Sequence, residues 1–317
     1  MRLINATTLK LEKIPDSRRV KYAILSHSWD PDSEDEVTFQ DMQDEAIAKT
    51  KSAYAKIEES CKLARKENLD YVWIVTCCID KSSSVELSEA INSIFKWYEH
   101  STICYAYLAD VNDSRSRSLS TEDFTKGRWL SRGWTLQELI APPRLDFYDS
   151  KLTKFASRTD TDTSAKTSAA TRIDEAYLNR PTDKQLLDMF SGASIAEYMC
   201  WASRRETTRE EDIAYCLLGI FVVNMPLLYG EGKQAAFIRL QEEIIKYSDD
   251  QSLFAWAPPS NDSRGDHDVI LLAYITVGLR GVREPHSMPN WDPTFGLLDK
   301  KPGNTCHVAY AWGSRTT

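Results

Sequence analysis

The chain has no uninterrupted apolar run near the length a membrane-spanning helix needs, about twenty residues, so no transmembrane span is expected. Its first residues, Met1-Arg2-Leu3-Ile4-Asn5, lack the long apolar core of a signal peptide. Basic excess is also missing. With 39 Lys and Arg against 47 Asp and Glu, the net charge is -8. This argues against nucleic acid, whose phosphates call for a basic face, and against a polybasic membrane anchor. Cysteine is sparse and odd in number, seven in 317 residues, which fits a reducing compartment and a cytoplasmic location. Cys77 and Cys78 are adjacent, so in a strand they face opposite ways and make no CxxC pair. The cysteines read as small buried apolar residues. The five histidines are scattered, so no metal site is expected. The first apolar strand is followed by no glycine, which removes a Rossmann dinucleotide turn. Tyr229-Gly-Glu-Gly-Lys233 lacks both the preceding strand and the order of a phosphate loop, and reads as a turn. No Gly-x-Ser-x-Gly is present, and His27 is flanked directly by Ser26 and Ser28, poor geometry for a hydrolase triad. There is no internal repeat.

What is present is alternation. Around Leu9, Leu11 and Ile14 a small edge strand is possible. Lys21 to Ser26 is a nearly continuous apolar run, suited to a strand buried on both faces of a parallel sheet. Pro31 makes the following segment a loop. From Asp41 to Asn68 the period turns helical, with Tyr54, Ile57, Cys61 and Ala64 on one face. Tyr71 to Thr76 is a second strand. Ser83 and Glu86 have capping-box spacing, and Leu87, Ile91, Ile94, Phe95 and Tyr98 form an apolar helix face. Ile103 to Leu108 is a third strand, and Leu145 to Tyr148 a fourth. Strand, helix, strand, helix, strand, helix, strand makes an α/β fold with a parallel sheet and right-handed crossovers. Ligands in such sheets lie outside the carboxyl ends of the strands, here Ser26–Asp30, Thr76–Lys81 and Asp110–Asp113. The expected organisation is an α/β domain over 1–155, a polar loop or linker over 156–172, a mainly helical region over 173–257 and an irregular segment over 258–317. Helices are expected over Ile195–Ser203, Glu210–Phe221 and Ala235–Tyr247, and two strands near Val269–Tyr274 and Cys306–Ala311.

The stretch that organises the chemistry is Arg128-Trp-Leu-Ser-Arg-Gly-Trp-Thr-Leu-Gln-Glu-Leu-Ile-Ala-Pro-Pro143. It reads as a short helix from Thr135, ended by Pro142 and Pro143. Glu138 stands three residues after Thr135, the spacing of a capping box, so it has two readings. It caps its own helix, or it presents a carboxylate at a cleft mouth lined by Trp129, Arg132 and Trp134. The carboxylates Asp80 and Glu138, the indoles Trp29 and Trp134, and Arg132 together suit a nucleotide glycosidic bond. Indoles stack on flat rings, arginine pairs with phosphate, and a carboxylate stabilises an oxocarbenium ion. The alternative is that the tryptophans are core residues while Asp80 and Arg132 belong to loops.

Three blocks resemble the signatures of the fungal heterokaryon-incompatibility (HET) domain. They are Tyr22-Ala-Ile-Leu-Ser-His-Ser-Trp29, Asp70-Tyr-Val-Trp-Ile-Val-Thr-Cys-Cys-Ile-Asp-Lys81 and Arg132-Gly-Trp-Thr-Leu-Gln-Glu-Leu139. The segments at Trp201–Thr208, Tyr215–Phe221, Met225–Gly232 and Ser252–Trp256 extend the likeness to roughly residues 1–257. The resemblance implies a fungal protein of nonself recognition whose activation leads to growth arrest or cell death, with an upstream nonself-sensing partner. HET domains are similar in turn to Toll/interleukin-1 receptor (TIR) domains, which implies a TIR-like, flavodoxin-like sheet and homo-oligomerisation on activation. In enzymatic TIR domains the glutamate of the Trp-x-x-x-Glu block carries NAD glycohydrolase activity; that position is Glu138. The resemblance thus implies NAD, or a related nucleotide, as substrate rather than cofactor. Ser26, His27, Ser28, Trp29, Asp80, Arg132 and Trp134 would bind it. The other reading is a non-catalytic signalling module that works by self-association. One position departs from the family: Val75 stands where an aspartate is usual.

Overall fold

The structure, a computed structural model, describes residues 1–28, 34–111, 124, 127–179 and 192–254. Seven strands form one sheet: β1 (Arg2–Asn5), β2 (Leu11–Lys13), β3 (Tyr22–His27), β4 (Tyr71–Ile74), β5 (Ile103–Tyr107), β6 (Leu145–Tyr148) and β7 (Lys154–Ser157). Their order is β2-β1-β4-β3-β5-β6-β7. The four central strands β4, β3, β5 and β6 are mutually parallel. Taken in chain order these four lie second, first, third, fourth, the flavodoxin-like arrangement whose switch point falls between β3 and β5. Their composition explains the placement. Every residue of β3 and of β6 is buried, as a strand covered on both faces requires.

The helices cover the faces. Between β3 and β4 come α1 (Glu45–Thr50) and α2 (Tyr54–Lys66). On α2 the buried residues Tyr54, Ile57, Cys61 and Ala64 recur at helical spacing, and Asn68 ends the run in the left-handed region at φ 57°. Thus 41–68 is not one helix but a 3-10 turn and two helices. Between β4 and β5 lies α3 (Ser84–His100), whose Ala90, Ile91, Ile94, Phe95 and Tyr98 are buried. Only half of its capping box forms. Ser83 accepts from the Glu86 amide, whereas the Glu86 carboxylate accepts from the Asp80 amide and pairs with Arg2. Between β5 and β6 come α4 (Arg128–Ser131) and α5 (Thr135–Ile140).

Both sheet edges depart from simple alternation. β1 pairs antiparallel with β2 and β4, and β7 pairs antiparallel with β6. The β6–β7 connection is too short for a parallel crossover. It is a tight turn in which Asp149 accepts from the Lys151 and Thr153 amides, with Leu152 at φ 52°. The stretch 156–172 is not a loop or linker. It completes β7 and continues as α6 (Thr161–Thr171), with Thr163, Ser164, Thr167 and Thr171 buried. Then come α7 (Glu175–Leu178), α8 (Ile195–Ala202), α9 (Asp212–Tyr215) and α10 (Gly232–Ile245). The helix expected over Glu210–Phe221 is therefore one short turn of helix followed by turns. A single cluster of buried apolar residues runs from Leu3 to Leu253 through the sheet and these helices. Cys61, Cys77, Cys78, Cys104 and Cys216 are buried free thiols. Among the described residues no helix is long and apolar enough to cross a membrane. The strands expected near residues 269–274 and 306–311, and the segment 258–317, lie outside the described residues.

Candidate active site around Glu138

The segment from α4 to α5 is shaped by contacts to the chain after α8. Gly133 donates its amide to Glu206 O at 2.8 Å, and the Glu206 amide donates to Ser131 O at 2.7 Å. A Cβ at Gly133 would lie 2.6 Å from Thr207 Cγ2 and 3.1 Å from Cys216 Sγ, so this close approach suits glycine. Trp134 Nε1 donates to Asp212 Oδ2 at 3.0 Å. Trp134, not Thr135, is the N-cap of α5, and no side chain caps it. Thr135 instead points its hydroxyl at the Trp129 and Arg132 carbonyls and accepts from Arg205 Nη1 at 3.0 Å. The capping box suggested by Thr135 and Glu138 is therefore not formed, and the Glu138 carboxylate is free for other partners.

All six residues of α5 are buried, Glu138 at 7% exposure among them. Its carboxylate meets β3 and α3. Ser26 Oγ donates to Glu138 Oε2, and the Tyr98 hydroxyl also hydrogen-bonds the carboxylate. Ser26 Oγ in turn accepts from Trp129 Nε1 at 2.6 Å. Trp129, fully buried, packs edge-on against Phe147 of β6 at 5.8 Å between ring centroids, which fixes the indole. Burial raises the Glu138 carboxyl to about 7; the Ser26 and Tyr98 hydroxyls and the charges of Arg132 and Arg205 oppose that rise. A carboxyl divided between its two forms at neutral pH can exchange a proton or stabilise a developing cation. Burial also holds the Tyr98 phenol far above its ordinary range, so it stays a neutral donor.

The other expected site residues do not all gather here. Ser26 and Arg132 adjoin Glu138, Arg132 through its charge and half-exposed. Trp134 is tied to Asp212. Asp80 accepts from Gln40 Nε2 at 2.8 Å and from Ser82, a separate turn-forming set. His27 and Ser28 are buried at the carboxyl end of β3. Among the described residues the His27 ring has no hydrogen-bond partner; its Nε2 lies 3.7 Å from Glu36 Oε2, and burial lowers its pKa, keeping it neutral. Trp29 lies outside the described residues. Val75 follows the last residue of β4, half-buried against the core. Three residues of the cluster were not assigned from sequence. In the sequence Tyr98 belongs to an apolar helix face, Trp129 to a cleft wall and Arg205 to a resembling block, and nothing more. A phenol and an indole recur at apolar spacing like any core residue, so nothing in the pattern marks their polar atoms. Among the described residues no group of His, Cys, Asp and Glu could hold a metal ion.

Comparison with known families places residues 22–122 in a match to "Heterokaryon incompatibility protein (HET)", and residues 235–272 in a match to a "Domain of unknown function (DUF8212)". The chain is 40% identical over 237 residues to the Vegetative incompatibility protein HET-E-1 of Podospora anserina. That alignment covers 74% of this chain and 17% of the relative, so the chain corresponds to a small part of it. No solved structure matches the chain.

Proposed function

The chain belongs to the heterokaryon incompatibility (HET) family, and from that premise we propose that it acts in vegetative nonself recognition by cleaving the nicotinamide–ribose bond of NAD. The observation that carries the reading is the buried Glu138 carboxyl, held by Ser26 and Tyr98 and brought to about 7. The flavodoxin-like order of the parallel strands and the resemblance to TIR domains support the choice of reaction. In this reading the bond between C1′ of the ribose and the nicotinamide nitrogen breaks with its electron pair leaving on nicotinamide. The ionised Glu138 stabilises the ribosyl cation. Water adds at C1′, a proton is released, and the products are ADP-ribose and nicotinamide. Ser26 and Tyr98 orient the carboxylate. Arg132 and Arg205 favour its ionised form.

Because the ionised carboxylate is the active form, turnover should rise with pH through about 7 and level off above it. The test is nicotinamide release from NAD by the purified chain across that range, with Glu138→Gln alongside. The expected result is a rising limb near neutrality and a loss of at least a hundredfold in the variant. Release that is equal in the variant rules Glu138 out. Absence of release from both free and assembled protein rules the reaction out and leaves a module working by self-association.

A further inference from the structure

The polar atoms that reach Glu138 from β3 form a chain with a direction. Trp129 lies on α4, Ser26 on β3 and Glu138 on α5. Trp129 Nε1 donates to Ser26 Oγ at 2.6 Å, and Ser26 Oγ donates to Glu138 Oε2. An indole nitrogen can only donate, whereas a serine hydroxyl donates one proton and accepts through two lone pairs. The Trp129 N–H therefore occupies one acceptor position of Ser26 and polarises its O–H. Hydrogen bonds in such a chain strengthen one another, and the last of them is strongest when its acceptor is charged.

The indole is held from two sides. Trp129 is fully buried, and its ring packs edge-on against Phe147 of β6. Phe147 is braced in turn by Phe124 at 5.2 Å and Phe155 at 6.3 Å between ring centroids. The Trp129 carbonyl accepts from Thr135 Oγ1 at the start of α5. Ring and backbone are thus pinned separately, which leaves the N–H one direction to point.

A simpler account makes Ser26 serve the indole, present only because a buried N–H needs an acceptor. Trp73 argues against it. That indole is fully buried too, and among the described residues its Nε1 has no hydrogen-bond partner. The fold thus carries one indole N–H unanswered, so the need for an acceptor does not by itself place a serine in β3. Every residue of β3 is buried, and a hydroxyl at that depth is costly unless its own proton is used. Here that proton goes to the carboxylate.

We propose that Trp129 is a positioning residue for Glu138: its N–H holds the Ser26 hydroxyl as a donor to the carboxylate, the arrangement that serves the ionised form. The proposal rests on the functional reading for the claim that the ionised form is the active one, but the order of the hydrogen bonds does not depend on NAD. The other groups that face the carboxyl are Tyr98 on α3 and Cys104 on β5, both kept neutral by burial, and the cations Arg132 and Arg205. Trp129 differs from all of them in acting through Ser26.

The test is a pH titration of the full chain by NMR, with labelled indole nitrogens and labelled glutamate carboxyl carbons. The Glu138 carbon is the signal missing from Glu138→Gln, and the Trp129 indole proton is identified by its contact with Phe147. In the wild type that proton should move downfield with the same midpoint as the Glu138 carboxyl. It should not move in Glu138→Gln or in Ser26→Ala. Trp129→Phe should raise the Glu138 midpoint by about half a pH unit or more, because the carboxylate loses a polarised donor. Loosened packing alone would admit water and lower the midpoint, so the sign separates positioning from bulk. Ser26→Ala should raise the midpoint as well, and adding Trp129→Phe to it should change nothing further. If Trp129→Phe does not fold, the indole signal in the wild type and in Ser26→Ala decides. Nicotinamide release, followed in parallel, should shift its rising limb with the NMR midpoint. The same shifts in a chain that releases no nicotinamide support the hydrogen-bond order and sink only the NAD reading. An indole proton that ignores Glu138, a midpoint unmoved or lowered in Trp129→Phe, or a full Trp129→Phe shift on top of Ser26→Ala overturns the proposal.

Discussion

Glu138 titrates near neutrality chiefly because it is buried, and that has a consequence for folding as well as for chemistry. The folded carboxyl holds its proton to about 7, whereas the unfolded one releases it near its ordinary value of 4.5. Between those values the folded state binds more protons, so stability falls as pH rises through the interval and is level above it. At about 1.4 kcal/mol per unit, the ionised Glu138 costs on the order of 3 kcal/mol at alkaline pH. Glu138→Gln keeps the shape and removes the ionisation. Its melting temperature should therefore exceed that of the wild type at about pH 8, and the difference should vanish near pH 4.5. Melting curves at the two pH values check this; a gap of the same size at both would show that the carboxyl is not strained by ionisation. A residue that is costly in the form its chemistry uses is a common compromise at a site. Val75 is a different compromise. Its side chain packs against the core just beyond β4, where valine needs no partner and an aspartate would need donors.

The elements legible in the sequence are those whose reason is local. Tyr22–His27 begins with a run of four apolar residues and Leu145–Tyr148 is apolar but for Asp146, and they are the fully buried strands. The stripe on α3 is legible for the same reason. What was not legible depends on distant partners. The strand Arg2–Asn5 exists because Leu11–Lys13 and Tyr71–Ile74 pair with it. The helix Thr161–Thr171 looks like a polar linker because its buried face is made of hydroxyls. Thr167 and Thr171 bond the carbonyls of Thr163 and Thr167 at 2.7 Å, which lets that face enter the core without orphaned groups. At the site, spacing suggested a capping box at Thr135, but Arg205, seventy residues away, claims the threonine. Gly219 is a further case. In the sequence it falls inside an expected helix with nothing to mark it, yet a Cβ there would overlap Phe95 on α3. Gly219→Ala should force the helix and the turn apart and destabilise by about 1–3 kcal/mol. Urea unfolding of the purified variant measures it; an unchanged midpoint would mean that Phe95 swings aside at no cost.

On the scale of the molecule, the α/β sheet and the helices that follow it are mutually dependent. Residues before 150 rely on residues after 200 for specific bonds: Trp134 on Asp212, Thr135 and Arg132 on Arg205, Gly133 and Ser131 on Glu206. Asn92 on α3 exchanges bonds in both directions with the Met225 backbone, at 3.2 and 3.4 Å. Arg158, just past β7, is 1% exposed and donates to Leu139 O at 2.6 Å and Pro143 O at 3.3 Å, at the end of the Glu138 helix. The HET match at residues 22–122 ends before Glu138, so the matched stretch is shorter than the part that builds the site. The folding unit must extend at least through α10, since the buried cluster continues to Leu253. A fragment ending at residue 160 would expose the apolar surface that α8 to α10 cover and would strip Trp134 and Thr135 of their partners. It should therefore lose cooperative melting and bind a dye that reports exposed apolar surface, whereas a fragment ending at residue 254 should melt in a single transition. Cooperative melting of the shorter fragment within a few degrees of the longer one would show that the sheet stands alone and that the later helices only decorate it.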